Sequence, residues 1–173
     1  MIVVLMGYMG SGKSTIGKEL ATVLNLSFLD LDDYISDKEN AAVSEIFKTK
    51  GEIYFRKKET QYLKELIDTS HNLVLALGGG TPCYSNNIDM LTKNENVALV
   101  YLKLSIPLLA ERLFTEREKR PLISHINSED ELLEFIGKHL FERVQYYNNA
   151  EFIINTDDKT LKDVLEDILV NLI

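Results

Sequence analysis

The sequence predicts an α/β fold in which helices cover both faces of a parallel sheet. Short apolar runs rich in β-branched residues alternate with longer segments of helical periodicity along all 173 residues. The runs are apolar throughout rather than alternating with polar residues, which is typical of strands buried on both faces. No repeat, linker or low-complexity tract interrupts this alternation, so we expect one domain over residues 1–173.

The first elements follow from apolar patterns in the N-terminal part of the chain. MIVVLM (1–6) is a β-branched run that stops at Gly7, which predicts a buried strand. LSFLDLD (26–32) is predicted as the second strand. The helix between them is indicated by apolar residues at helical spacing, which are Ile16, Leu20, Val23 and Leu24.

The middle of the chain continues the alternation. Two helical stretches, about 42–50 and 52–68, are divided by Gly51. NLVLAL (72–77) and VALVYLKL (97–104) are apolar runs and are predicted as the third and fourth strands.

The last part of the chain adds helices and one more strand. A helix is expected from about Pro107 to Phe114. Ser128 and Glu131 form a capping box that starts a long helix whose apolar face extends to Tyr147. The remaining predicted elements are a fifth strand over 151–156 and a helix over 161–172.

The composition argues against nucleic-acid and membrane partners. The formal net charge is −8, which disfavours binding to polyanions and to anionic lipid surfaces. Cys83 is the only cysteine, so an internal disulfide is impossible and a reducing compartment fits. No basic leader precedes the first apolar run and no run approaches ~18 apolar residues. We therefore expect a cytoplasmic protein.

GYMGSGKST (7–15) fits the phosphate-loop pattern G-x(4)-G-K-[ST] between a buried strand and an amphipathic helix. Its glycines let backbone N–H groups turn towards an anion, at the positive end of the following helix. Lys13 is expected to reach the β- and γ-phosphates of a nucleotide, and the Ser14 hydroxyl to hold Mg²⁺. Tyr8 and Met9 are expected to be ordinary loop residues.

Other nucleotide-binding classes use the same loop but lack support here. A GTPase switch would require Asn-Lys-x-Asp and Asp-x-x-Gly, and neither occurs. A large ATPase would carry an acid at the end of its third or fourth strand, whereas these strands end at Gly78 and Leu104. The acids instead lie in the second strand. Asp30 and Asp32 are two residues apart and should project together at the carboxyl edge of the sheet, unless they form an ordinary acidic strand end.

Arg56 is a candidate for binding a carboxylate. It lies among apolar residues in IYFRKKE (53–59), and its planar fork suits bidentate contact with a carboxylate. A surface salt bridge with Glu59 or Glu52 is the alternative. GGGTP, which begins at Gly78, offers bare backbone amides at a strand end, with a simple turn as the alternative.

Two further segments add positive charge. Arg143 lies on the long helix near two tyrosines, where it could also be a solvated helix residue. EREKRPLI (116–123) places Arg117, Lys119 and Arg120 in a connection that could close over a phosphate or remain a solvated loop. Together these groups describe a small anionic polyol as the second ligand.

This assembly resembles the shikimate kinase family, over essentially the whole chain and in the right order. The resemblance rests on GYMGSGKST, DLD at 30–32, Phe55-Arg56, GGG at 78–80, RPLI at 120–123 and the spacing from Arg143 to Tyr147. It implies a three-layer sandwich of the P-loop NTP hydrolase type, with strand order 2-3-1-4-5. It further implies a substrate-binding region near 31–60 and a lid near 113–124.

The resemblance also implies transfer of the ATP γ-phosphate to the 3-hydroxyl of shikimate in aromatic amino-acid biosynthesis, with Mg²⁺ as cofactor. We also expect a monomer. The implied catalytic residues are Lys13, Asp32 and Arg120. The implied ATP-binding residues are Gly10, Ser11, Gly12, Lys13, Ser14, Thr15, Arg112 and Arg120. The implied shikimate-binding residues are Asp32, Phe47, Phe55, Arg56, Glu59, Gly78, Gly79, Gly80 and Arg143. The implied metal ligands are Ser14 and Asp30.

The sequence departs from this family at two places. Gln145 stands where proline is usual between the arginine and the tyrosine of the later motif, and NTDDKT (155–160) matches the adenine-side loop only loosely. A gluconate or nucleoside-monophosphate kinase on the same core is the nearest enzyme alternative. A nucleotide-dependent binding or regulatory module is the alternative from another class.

Overall fold

The computed structural model describes residues 1–172, which contain five strands and seven α-helices. The strands are Ile2–Met6 (β1), Ser27–Asp30 (β2), Leu73–Ala76 (β3), Val97–Lys103 (β4) and Phe152–Asn155 (β5). The helices are Lys13–Leu24 (α1), Leu31–Glu39 (α2), Val43–Thr69 (α3), Asn87–Thr92 (α4), Ile106–Glu116 (α5), Glu129–Tyr147 (α6) and Leu161–Leu172 (α7). Single 3₁₀ turns cover Thr81–Cys83 and Arg117–Lys119.

The five strands form one parallel sheet in the order β2-β3-β1-β4-β5, which confirms the predicted fold class and strand order. The central strand β1 is buried along its whole length, with Val4 opposite Leu75 on one side and Leu99 on the other. A strand buried on both faces needs apolar residues at every position, which is why its sequence does not alternate.

Each face of the sheet has its own hydrophobic core. Ile2, Val4 and Met6 pack with residues of α2 to α6, whereas Val3 and Leu5 pack with residues of α1 and α7. Successive side chains of a strand point to opposite faces, so β1 contributes to both cores, as β3 and β4 also do. The result is the three-layer arrangement that the sequence predicts.

The predicted strand over 26–32 is wrong at its end. β2 stops at Asp30, which is the N-cap of α2: its Oδ1 accepts a hydrogen bond from the Asp32 backbone N–H at 3.0 Å. Leu31 and Ile35 are fully buried one turn apart on α2. A capping aspartate followed by acids in the first turn is a helix-start signal, and here it outweighs the apolar run before it.

The helical region after α2 is divided as expected. Gly51 interrupts α3 with φ 83° and ψ 171°, a conformation that residues with a Cβ rarely adopt. The short helix α4 was not predicted, because only two of its residues, Ile88 and Leu91, mark its buried apolar face. No helix within residues 1–172 has the combination of length and apolar character that crossing a membrane requires.

Candidate active site

The phosphate loop follows the central strand and leads into α1. Gly10 and Gly12 have φ values of 80° and 93°, and a Cβ on Gly10 would lie 2.9 Å from the Leu113 side chain. Glycine is therefore required at Gly10 both by backbone conformation and by space. The loop places backbone N–H groups at the positive end of α1, as anion binding demands.

The Lys13 ammonium lies over this loop, where its Nζ donates to the carbonyl oxygens of Gly7 at 2.8 Å and Tyr8 at 3.0 Å. Burial lowers the pKa of Lys13 to about 8, and the positive charges of Arg120 and Arg143 act in the same direction. These arginines therefore approach the same point from other parts of the chain. An anion bound among the three cations would raise the pKa of Lys13 and keep its charge.

Ser14 and Asp30 form the polar pair beside the loop. The Ser14 hydroxyl donates to Asp30 Oδ2 at 2.8 Å, which joins the start of α1 to the end of β2. Hydroxyl and carboxylate oxygens are the ligand types that Mg²⁺ accepts, commonly one or two per site together with phosphate oxygens and waters. The two side chains thus fit the metal that a phosphate loop normally uses.

A cavity of about 210 Å³ adjoins the outer side of the phosphate loop. Its lining includes Ser11, Gly12, Thr15, Arg112, Thr156 and Lys159. Arg112 Nη1 donates to the Gly10 carbonyl at 3.2 Å, and Thr156 and Lys159 come from the segment after β5. The loosely matching segment NTDDKT therefore takes part in this cavity beside the phosphate loop.

Asp32 lies in the first turn of α2 and points to the end of β3. A Cβ on Gly78 would lie 3.1 Å from Asp32 Oδ1, so the absence of a side chain allows the carboxylate to approach. Burial, together with the carboxylates of Asp30 and Glu59, raises the pKa of Asp32 to about 6. The predicted approach of Asp30 and Asp32 is present, but it arises from a helix cap and not from a shared strand face.

Arg56 is held in place on every side. Its Nη1 donates to Glu59 Oε1 at 2.8 Å, its Nε lies 3.6 Å from Glu52 Oε1, and its Cζ lies 3.9 Å from the centre of the Tyr84 ring. Glu59 is only 1% exposed and also accepts from the Thr81 hydroxyl at 2.7 Å. Both partners named as the salt-bridge alternative are therefore present. They hold a mostly buried guanidinium, not a surface pair.

The glycines after β3 are in contact with charged side chains. A Cβ on Gly80 would lie 2.8 Å from Arg56 Nη2, and a Cβ on Gly79 would lie 3.2 Å from Arg143 Nη1. The buried Tyr147 hydroxyl donates to the Gly79 carbonyl at 2.6 Å. None of these glycines has a positive φ, so close approach of side chains, and not turn geometry, explains the triplet.

The aromatic residues named for the acceptor site lie beside Arg56. The Phe47 and Phe55 rings are 4.5 Å apart, and Arg56 Cζ is 5.3 Å from the centre of Phe55 and 6.0 Å from that of Phe47. Phe55 is 3% exposed and belongs to the core, whereas Phe47 is partly buried. Phe55 thus supports the guanidinium from the core side.

Arg120 lies in the connection between α5 and α6, directly after the 3₁₀ turn Arg117–Lys119. Its Nη2 donates to Glu116 Oε2 at 2.8 Å and its Nε to the same oxygen at 3.1 Å. The predicted lid begins in the last turns of α5, and Ile123 near its other end is fully buried. Arg120 is therefore carried by a short exposed segment between two anchored points.

Two residues near the site were missed. Tyr8, expected to be an ordinary loop residue, is 2% exposed and its hydroxyl lies 2.8 Å from His139 Nδ1. Tyr84 covers the face of Arg56. No local pattern identifies either contact, because the partners are far apart in the chain. The one signal in the sequence was Tyr8 itself, because a glycine-rich phosphate loop does not require an aromatic residue.

Comparison with known proteins gives one consistent result. A sequence model of a family described as shikimate kinase matches residues 9–172. The shikimate kinase of Flavobacterium johnsoniae is 47% identical over 167 residues, which cover 96% of each chain.

Solved structures agree with the sequence comparisons. A shikimate kinase from Bacteroides thetaiotaomicron superposes with a TM-score of 0.89 at 33% identity, covering 99% of this chain and 98% of the other. A shikimate kinase from Acinetobacter baumannii in complex with shikimate gives a TM-score of 0.84 at 32% identity, covering 99% of this chain and 92% of the other.

Proposed function

The chain belongs to the shikimate kinase family. From this premise we propose the role of each site residue in the reaction. The protein is an ATP-dependent phosphotransferase that transfers the γ-phosphate of ATP to the 3-hydroxyl of shikimate, giving shikimate 3-phosphate and ADP. The residue roles, the metal and the molecular setting described below are our proposal.

One observation supports the acceptor site above all others. The three glycines after β3 each lie against a different charged side chain: Gly78 against Asp32, Gly79 against Arg143 and Gly80 against Arg56. Two guanidiniums suit a carboxylate, and an adjacent aspartate suits hydroxyl groups. Shikimate carries a carboxylate and three ring hydroxyls. We assign its carboxylate to Arg56 and Arg143 and its hydroxyls to Asp32.

The donor site is assigned to the phosphate loop. The backbone of 10–15 binds the phosphates, and Lys13 neutralises the group that is transferred. Ser14 and Asp30 would hold Mg²⁺, which would neutralise charge on the β- and γ-phosphates. The cavity beside Arg112 is assigned to the nucleoside.

The transfer needs little covalent chemistry from the protein. The 3-hydroxyl oxygen attacks the γ-phosphorus, the bond from that phosphorus to the bridging oxygen breaks, and ADP leaves with the bond's electrons. Asp32, with its pKa of about 6, is ionised at neutral pH and accepts the hydroxyl proton. Arg120 leaves Glu116 when the lid closes and stabilises the charge on the group in flight.

The preference for shikimate over other phosphate acceptors tests the assignment of the acceptor site. Gluconate and AMP are the comparison acceptors, since a gluconate kinase and a nucleoside-monophosphate kinase are the two enzyme alternatives. A coupled ADP-release assay with Mg²⁺ and ATP should show turnover with shikimate far above that with gluconate or AMP, because only shikimate satisfies both arginines and Asp32. Equal turnover with gluconate would refute the assignment, and nucleotide binding without turnover would indicate a binding module.

We propose a simple molecular setting for this activity. Residues 1–173 form one domain, in which 31–60 is the substrate-binding region and 113–124 the lid. The net charge of −8 is unfavourable for nucleic-acid or anionic membrane contact. A monomer in the cytoplasm fits a site completed by a single chain. Light scattering during gel filtration would reveal any stable oligomer.

A further inference from the structure

Tyr8 makes an unusual connection for a residue of a phosphate loop. It lies between Gly7 and Met9, its carbonyl accepts from Lys13 Nζ at 3.0 Å, and its side chain is 2% exposed. Loop function itself uses the backbone at this position, not the side chain. The aromatic side chain therefore has another role.

The Tyr8 side chain reaches α6, which is 131 residues away in sequence. Its hydroxyl lies 2.8 Å from His139 Nδ1, and the two rings meet edge to face with their centres 5.5 Å apart. Burial and the Arg143 guanidinium lower the pKa of His139, and burial raises that of Tyr8. At neutral pH the tyrosine thus keeps its proton and the imidazole is neutral, so the two groups share one hydrogen bond whose donor is set by the imidazole tautomer.

Arg143 lies one helical turn beyond His139 and faces the same tyrosine. Its Cζ is 5.9 Å from the centre of the Tyr8 ring, and its Nη1 would be 3.2 Å from a Cβ on Gly79. The guanidinium is therefore placed between an aromatic ring and the glycine strand end. A hydrogen bond that orients the ring also determines the surface on which the guanidinium rests.

We propose that Tyr8 and His139 are positioning residues for shikimate binding. They fix the position of the Arg143 guanidinium relative to the phosphate loop. Neither residue touches the reacting atoms. The pair joins the element that binds the donor to the helix that binds the acceptor carboxylate. This inference rests on the proposed role of Arg143.

The test is steady-state kinetics with each substrate varied in turn. Tyr8→Phe removes only the hydroxyl, Tyr8→Leu also removes the ring face, and His139→Leu removes the nitrogen that shares the hydrogen bond. We expect KM for shikimate to rise about three- to tenfold in Tyr8→Phe and His139→Leu, and more in Tyr8→Leu. KM for ATP should stay within about twofold in Tyr8→Phe, because the loop backbone is unchanged.

Two comparisons separate positioning from general damage. His139→Asn keeps an amide near the place of Nδ1, which can accept from or donate to the Tyr8 hydroxyl, and should restore KM for shikimate towards the parent value. The double variant Tyr8→Phe/His139→Leu should be no worse than either single variant, because both remove one bond. Tyr62→Phe is the matched control: it removes the hydroxyl of another buried tyrosine, which donates to Glu39 at 2.6 Å, and should leave both KM values unchanged.

The outcomes are distinct. Unchanged KM for shikimate in Tyr8→Phe and His139→Leu, additive effects in the double variant, or equal increases in both KM values would each overturn the proposal. Tyr8→Phe carries the test even if His139→Leu fails to fold, since it retains the ring. Failure of the parent protein to use shikimate would instead overturn the proposed function.

Discussion

The donor and acceptor halves of this active site are built in different ways. The donor half is one continuous segment, residues 7–15, in which Lys13 bonds back to the carbonyls of Gly7 and Tyr8. The acceptor half brings together Asp32 from α2, Arg56 from α3, the glycines after β3 and Arg143 from α6. In the proposed site, phosphate is bound mainly by backbone N–H groups, whereas shikimate is bound by side chains from separate elements.

The difference has a physical consequence. Backbone N–H groups in a glycine loop are oriented by the loop itself, so the donor half needs little outside support. Each acceptor side chain depends on neighbours: Arg56 on Glu59 and Tyr84, and Glu59 in turn on Thr81. Substitutions in the acceptor half should therefore act at longer range than those in the donor half.

Arg120→Ala should give the largest effect, because our proposal assigns Arg120 to the group in flight and to neither half before the lid closes. We expect kcat to fall by about 10³-fold or more, as for other cations that act on a transferring phosphoryl group, with KM for shikimate nearly unchanged. Lys119→Ala, an exposed neighbour, is the control and should retain parent kinetics. A large rise in KM with constant kcat would place Arg120 in the acceptor half instead.

Asp32→Asn tests the point where the two halves meet. We expect kcat to fall by about 10²- to 10⁴-fold while ATP binding is retained, because the amide cannot accept the hydroxyl proton. In the parent, kcat/KM should fall as pH drops below about 6, since the raised pKa of Asp32 means that this carboxyl is protonated there. This fall of kcat/KM at acidic pH should be absent in Asp32→Asn. Turnover equal to that of the parent would remove Asp32 from the site.

Arg56→Lys addresses the acceptor half alone. Lysine keeps a cation near the buried Glu59 but lacks the planar fork, so KM for shikimate should rise by about 10- to 100-fold with KM for ATP unchanged. Lys57→Ala, the exposed neighbour on α3, is the matched control. An equal rise in KM for shikimate and KM for ATP would show that Arg56 does not act on the acceptor half alone.

Gly80→Ala should have the smallest effect and the most local one. The new Cβ would lie 2.8 Å from Arg56 Nη2, and the backbone at Gly80 suits alanine, so the protein should fold with Arg56 displaced. We expect KM for shikimate to rise about three- to tenfold. Gly137→Ala on α6 meets nothing within 4 Å and should leave kinetics unchanged while stabilising the helix by about 0.5–1 kcal/mol. A parent-like KM in Gly80→Ala would show that this glycine is not needed for close approach.

The sequence alone predicted the fold class, the five strands and the phosphate loop. All three are local signals: apolar runs for buried strands, helical spacing for the covering helices, and a contiguous motif for the anion site. The order of the strands and the place of Phe47 and Phe55 in the acceptor site came through resemblance to a family. Asp32, Arg56 and Arg143 were already candidates from the chemistry of their side chains. The main error, the extension of β2 to residue 32, arose where a capping aspartate competes with an apolar run.

Tertiary structure decided the rest. Which charged side chain meets which glycine, and the bond from Tyr8 to His139, depend on how helices from distant parts of the chain pack against one edge of the sheet. The backbone conformation of a short segment is selected by its own residues, so it can be inferred locally. A contact across more than a hundred residues is selected by the packing of the whole core, and no local pattern encodes it.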